Sequence, residues 1–144
     1  MLKRENKLQN TSSSLNCAQQ VLVKYCERYS LKREMAIKIA SAFGGGIGLM
    51  GETCGAVTGA LMVIGLKYGS SKDDKKSVEN KEKAVNKFIP AFLSLNGSMK
   101  CKDLLRLDFR IPKEHKMINE NKITENLCPS FINNSIEILD QLLK

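Results

Sequence analysis

Five cysteines and a run of evenly spaced glycines are the residues of this chain most able to do chemistry. The cysteines are Cys17, Cys26, Cys54, Cys101 and Cys128, and Gly51, Gly55 and Gly59 recur every fourth residue around Cys54. As thiolates, cysteines attack disulfides and ligate zinc or iron–sulfur clusters. On a helix the three glycines would stack along one face, leaving a bare stripe that another backbone or a bulky inorganic group could approach. A thiol beside such a groove is a candidate redox nucleophile, with Cys54 the first to consider.

The other side chains that could carry chemistry offer less. The single histidine, His115, sits in a charged stretch and reads as a solvated residue. Asp73, Asp74 and Glu114 have no carboxylate partner in an apolar setting, so nothing supports hydrolysis. Gly44-Gly45-Gly46-Ile47-Gly48 lacks the preceding strand and the Lys-Ser/Thr of a phosphate loop, and reads as a helix breaker.

At 144 residues and 42% hydrophobic content, the chain is long enough to bury a core without disulfide staples. It is expected to form one domain over residues 1–144, with 1–13 flexible. Met1-Leu2-Lys3-Arg4-Glu5-Asn6 is not followed by an apolar stretch, so no signal peptide is read and a cytoplasmic location is expected. Thiols are kept reduced there, and cysteines in this number point to metal binding or redox work rather than to structural bridges. The net charge of +8 is scattered among acids, with no arginine-rich arm, aromatic platform or zinc-finger spacing. Nucleic acid is therefore not expected, whereas an acidic redox partner protein is compatible with the charge. The nearly uncharged run from Thr53 to Leu66 is shorter than the ~20 residues of a membrane span, so it reads as a buried helix.

The elements that must position the cysteines all read as helices by their three-and-four spacing of apolar residues. The first spans Asn16 to Tyr29. The second is capped by Ser30 and carries Met35 to Phe43. The third runs from about Gly51 to Lys67. A fourth covers about Asp74 to Leu95, kinked or split by Pro90, and a short fifth runs from Ser98 to Leu107. Residues 111–126 read as a long loop or weak helix, and a last helix begins at Pro129. The fold class is all-α, a roughly antiparallel bundle of about six helices.

On this map Cys17, Cys54, Cys101 and Cys128 each fall at a helix start, where free amides and the positive end of the dipole favour a thiolate. Four of five cysteines in such places point to one shared site. Cys26, nine residues after Cys17, is half a turn out of phase on the same helix and is assigned to packing.

These residues resemble a known family. Asn16-Cys17-Ala18-Gln19, the block Phe43 to Gly48 leading into Cys54-Gly55-Ala56-Val57-Thr58-Gly59, then Cys101 and Cys128-Pro129, are similar to the redox-active proteins named for a C…GCAxxG…C…C signature. One departure is Thr53, where the signature has glycine before the cysteine. The resemblance implies redox activity through four cysteines, and a related domain in split-Soret cytochromes is associated with an iron–sulfur cluster. No Cys-x-x-Cys-His haem motif is present here.

The leading expectation is an iron–sulfur cluster held by Cys17, Cys54, Cys101 and Cys128, with Gly51, Gly55 and Gly59 making room, for electron transfer or redox sensing. The alternatives are thiol–disulfide exchange with Cys54 attacking and another cysteine resolving, a structural zinc site, or no cofactor and a glycine face that docks a helix. That face could serve within one chain or between two copies of a homodimer.

Overall fold

A computed structural model describes residues 14–144, so the expectation for residues 1–13 lies outside the described part. Among the described residues seven α-helices form and no strand does, and the chain is all-α. They are α1 (Cys17–Cys26), α2 (Arg33–Ile39), α3 (Gly55–Tyr68), α4 (Lys75–Asn96), α5 (Cys101–Leu105), α6 (Pro112–Glu120) and α7 (Ile123–Leu142).

α3 is apolar on nearly every side, and a helix of that kind is stable only when surrounded. It is the central element, packed by α1, α4 and α7. Leu22 and Tyr25 of α1, Val63 and Ile64 of α3, Phe88 and Phe92 of α4, and Leu139 of α7 meet in the main core. The buried Tyr25 hydroxyl donates to Asp140 at 2.7 Å, which satisfies it inside that core. A smaller apolar cluster of Cys101, Leu105 and Ile118 joins α5 to α6.

Several boundaries differ from the periodicity reading. α1 stops at Cys26 and tightens into a 3₁₀ turn, Glu27–Tyr29, closed by Ser30 at φ +63°. Ser30 therefore ends one element rather than capping the next, and the N-cap of α2 is Lys32. Pro90 does not split α4, which is continuous from its Asp74 cap to Gly97. The carbonyl that Pro90 leaves unpaired belongs to exposed Asn86, where water can take it. Residues 112–120 are a helix with Pro112 in its first turn, and α7 begins at Ile123, six residues before Pro129. Pro129 lies inside α7 on its exposed side.

Candidate functional site

The sequence Asn16-Cys17-Ala18-Gln19 builds a capping box. The Asn16 side chain accepts from the Gln19 amide, and the Gln19 side chain accepts from the Asn16 amide, each at 2.8 Å. The Asn16 amide group also donates to Ala40 and Ser41 carbonyls, tying the start of α1 to the end of α2. Cys17 is thus fixed as the first residue of a firmly held helix.

Gly55 then brings Cys17 to Cys54. A Cβ at Gly55 would stand 2.7 Å from the Ala18 nitrogen and 2.8 Å from the Cys17 Cβ. Only glycine lets α1 and α3 approach this closely at their starts. Gly59 does the same one turn on, where a Cβ would meet the Ala18 oxygen at 2.7 Å. The glycine face is therefore filled by α1 of the same chain. It is not a free surface for an outside helix, while Gly55 also borders the cleft that the cysteines line.

Gly51 does not belong to that face. It lies in the turn before α3 at φ +70°, with Lys102 and Asp108 as its neighbours. Gly55 and Gly46 both line the cleft of the cysteines; Gly46 has φ +71°, and a Cβ there would stand 2.6 Å from the Cys101 Cβ. Its signal lay in the Gly44-Gly45-Gly46 triplet, which reads only as a helix breaker from sequence. Among the described residues the amides of Gly45 and Gly46 donate to no acceptor, and both glycines line the same cleft as the cysteines.

A backbone clasp that periodicity could not reveal sets Cys54 beside Cys101. Thr53 and Lys100 form an isolated antiparallel bridge. The Cys54 amide donates to Met99 at 2.7 Å and the Cys101 amide to Glu52 at 2.6 Å. Cys54 is the N-cap of α3 and Cys101 the first residue of α5, so both leave the bridge at helix starts.

Cys128 arrives differently. It is the sixth residue of α7, not a residue at a helix start, so the helix-start placement holds for Cys17, Cys54 and Cys101 and fails for this one. Pro129 suggested a helix start, but a proline on the exposed side of a long helix gives the same signal. Cys26 is wholly buried in the main core, its thiol donating to the Val23 carbonyl at 3.4 Å, and does not line the cleft. His115 is half-buried, its ring edge-on to Phe109 at 5.2 Å.

Cys17, Cys54, Cys101 and Cys128 all line one cleft of about 1600 Å³, at the junction of the main core and the smaller cluster. Cys54 and Cys101 are its deep members, 4% and 7% exposed, while Cys17 and Cys128 are half-buried. Burial, with Cys17 nearby, pushes the Cys54 thiol up to about 12, and the Ala56 and Val57 amides only partly offset it without closing a cap hydrogen bond. Burial also pushes Cys101 up to about 12, with Cys54, Cys17 and Asp108 adding to it. The neighbouring Cys128 thiol, and then burial, push the Cys17 thiol well above its ordinary value. Asp108, itself held low by Arg110, is the carboxylate that bears on the site; Glu52 instead contributes its backbone carbonyl.

A family model, "Putative redox-active protein (C_GCAxxG_C_C)", matches residues 15–142, a span that holds all four cysteines of the cleft. The chain belongs to this family. Membership supports a redox function for the C…GCAxxG…C…C protein described here. No curated protein and no solved structure matches the chain.

Among the described residues no three His, Cys, Asp or Glu side chains are gathered closely enough to hold one metal ion. A tetrahedral zinc with bonds near 2.3 Å needs its sulfurs about 3.8 Å apart. The four thiols instead line one cleft, and thiolates are the donor type that iron–sulfur clusters take.

Proposed function

We propose that this protein holds an iron–sulfur cluster through Cys17, Cys54, Cys101 and Cys128 and serves in electron transfer or redox sensing. The observation that carries this reading is the convergence of four thiols from four separate elements on one cleft, while the fifth cysteine lies outside it. When bound, such a cluster supplies one-electron transfer at a potential set by its surroundings. The chain's own contribution is a set of thiols at fixed positions, the helix starts at Cys17, Cys54 and Cys101, and the Gly45 and Gly46 amides, which have no acceptor among the described residues, as donors to sulfur.

The raised thiols separate this reading from the alternative of Cys54 as an attacking thiolate. A free nucleophile needs a lowered pKa, and Cys54 is held near 12. A ligand thiol instead releases its proton to solvent as it binds the metal, so burial delays rather than prevents its use. A single zinc is not favoured by the spread of the thiols. A redox partner with an acidic docking face suits the net charge of +8.

Purification without oxygen, followed by iron and acid-labile sulfide analysis, tests the proposal. Iron and sulfide in comparable amounts are expected; their absence after reconstitution with both would remove it.

A further inference from the structure

Between Gly44 and Gly51 the chain follows a backbone that side chains rarely adopt. Gly45, Gly46, Ile47, Gly48 and Leu49 are consecutive residues with φ between +60° and +71°. Glycine takes that conformation freely, whereas a branched side chain such as that of Ile47 is strained by it. Ile47 and Leu49 are also 41% and 46% exposed. Two large apolar side chains are thus held at a backbone cost and then left in water, a combination that folding alone does not reward. Met50 beside them and Ile39 at the end of α2 are exposed as well.

Hydrogen bonds join these residues into one face. The Gly48 amide donates to Ala42 at 2.9 Å and the Ile47 amide to Phe43 at 3.3 Å, seating the turn on the residues that follow α2. At the turn's exit the Lys102 amide donates to Gly51 at 3.1 Å, which brings α5 against it. The surroundings are basic. Asp108 and Glu52 are already paired, with Arg110 at 2.9 Å and Lys102 at 4.0 Å. Glu34 and Asp103 are outnumbered on and around α2 and α5 by Lys32, Arg33, Lys38, Lys100 and Arg106.

The same turn walls the cysteine cleft. Gly46, the neighbour of Ile47, lies against the Cys101 side chain, and Gly45, covered by Leu49, lines the cleft. A molecule seated on Ile47 and Leu49 is therefore one residue away from a cysteine of the cleft. We propose that Ile39, Ile47, Leu49 and Met50, within their basic rim, dock an acidic one-electron carrier protein. The purpose of this docking rests on the cluster reading, and the face names where the redox partner binds. An apolar centre inside a charged rim is the ordinary make-up of a protein interface, and the basic rim steers an acidic partner to it. One electron passes between carrier and site, one centre gaining what the other loses, with no bond made or broken.

A plant-type ferredoxin, an acidic one-electron carrier, is the probe, titrated by calorimetry at low salt into the full chain prepared without oxygen. Binding is expected, and it should weaken about tenfold or more when Ile47→Gly and Leu49→Gly are combined. Glycine suits both backbone positions, so the melting midpoint of that variant should hold or rise. Lys38→Glu should weaken binding more than Lys76→Glu, which makes the same change of charge at the start of α4. No binding of the ferredoxin, unchanged binding in the glycine variant, or equal loss in the two lysine variants would overturn the docking face. So would a fall in the melting midpoint, which would mean that the two side chains serve the fold. Iron per chain is read on the same samples. Binding by a native chain that never takes up iron would sink the cluster reading while the face stands, and iron without binding would do the reverse.

Discussion

At the scale of single residues, the site depends on a few atoms that are missing. Gly55→Ala would place a methyl 2.7 Å from the Ala18 nitrogen, a backbone atom that cannot swing aside. A loss of about 1–3 kcal/mol is expected from denaturant melts, together with reduced iron binding, because Cys17 moves with Ala18. Gly65→Ala is the opposite case in the same helix, with nothing within 4 Å, and should stabilise by roughly 1 kcal/mol. The buried thiols also make a statement about pH. In iron-free protein Cys54 and Cys101 keep their protons to about 12, whereas exposed thiols lose them near the ordinary value of 9.0. The unfolded chain then binds fewer protons than the folded one between those values. The stability these groups contribute is complete below about pH 9 and falls as pH rises toward about 12. Melting midpoints measured from about pH 8 to about pH 11 should drop more steeply in the native sequence than in Cys54→Ser.

At the scale of elements, the starts of helices decided how much could be read in advance. Cys17 was legible because Asn16 and Gln19 carry the capping box within four adjacent residues. Replacing Asn16 with alanine should cost about 1–2 kcal/mol by chemical denaturation and loosen the joint between α1 and α2, since the same side chain holds Ala40 and Ser41. Cys128 was misplaced because proline's preference for a first turn and its tolerance on an exposed helix side look alike in a sequence. α7 is instead fixed by contacts remote in the chain, among them the buried Ser135 hydroxyl donating to Ala56 at 2.7 Å. Gly51 was misread as helical for a related reason. Its four-residue spacing matches the helix period, yet the chain before Cys54 is committed to the clasp with residues 99–102. Pairings across that separation leave no local trace, so the clasp between Cys54 and Cys101 could not be foreseen.

At the scale of the whole molecule, the all-α class, the central apolar helix and the four convergent cysteines were all readable, while the cleft that joins them was not. The cleft exists because two apolar clusters meet there, and clusters are properties of packing rather than of spacing. No helix among the described residues is long and apolar enough to cross a membrane. With a net charge of +8, association with the acidic redox partner proposed above should weaken as salt rises from about 0.05 to about 0.5 M, readable in the ionic-strength dependence of the proposed electron transfer. Four particular thiols are proposed to form one site that excludes the fifth. The most direct test is iron bound per chain after reconstitution without oxygen in the five single Cys→Ser variants. Cys17→Ser, Cys54→Ser, Cys101→Ser and Cys128→Ser should each lose most of the iron, and Cys26→Ser should keep it. Equal loss in Cys26→Ser, or full retention in any of the other four, would contradict the claim.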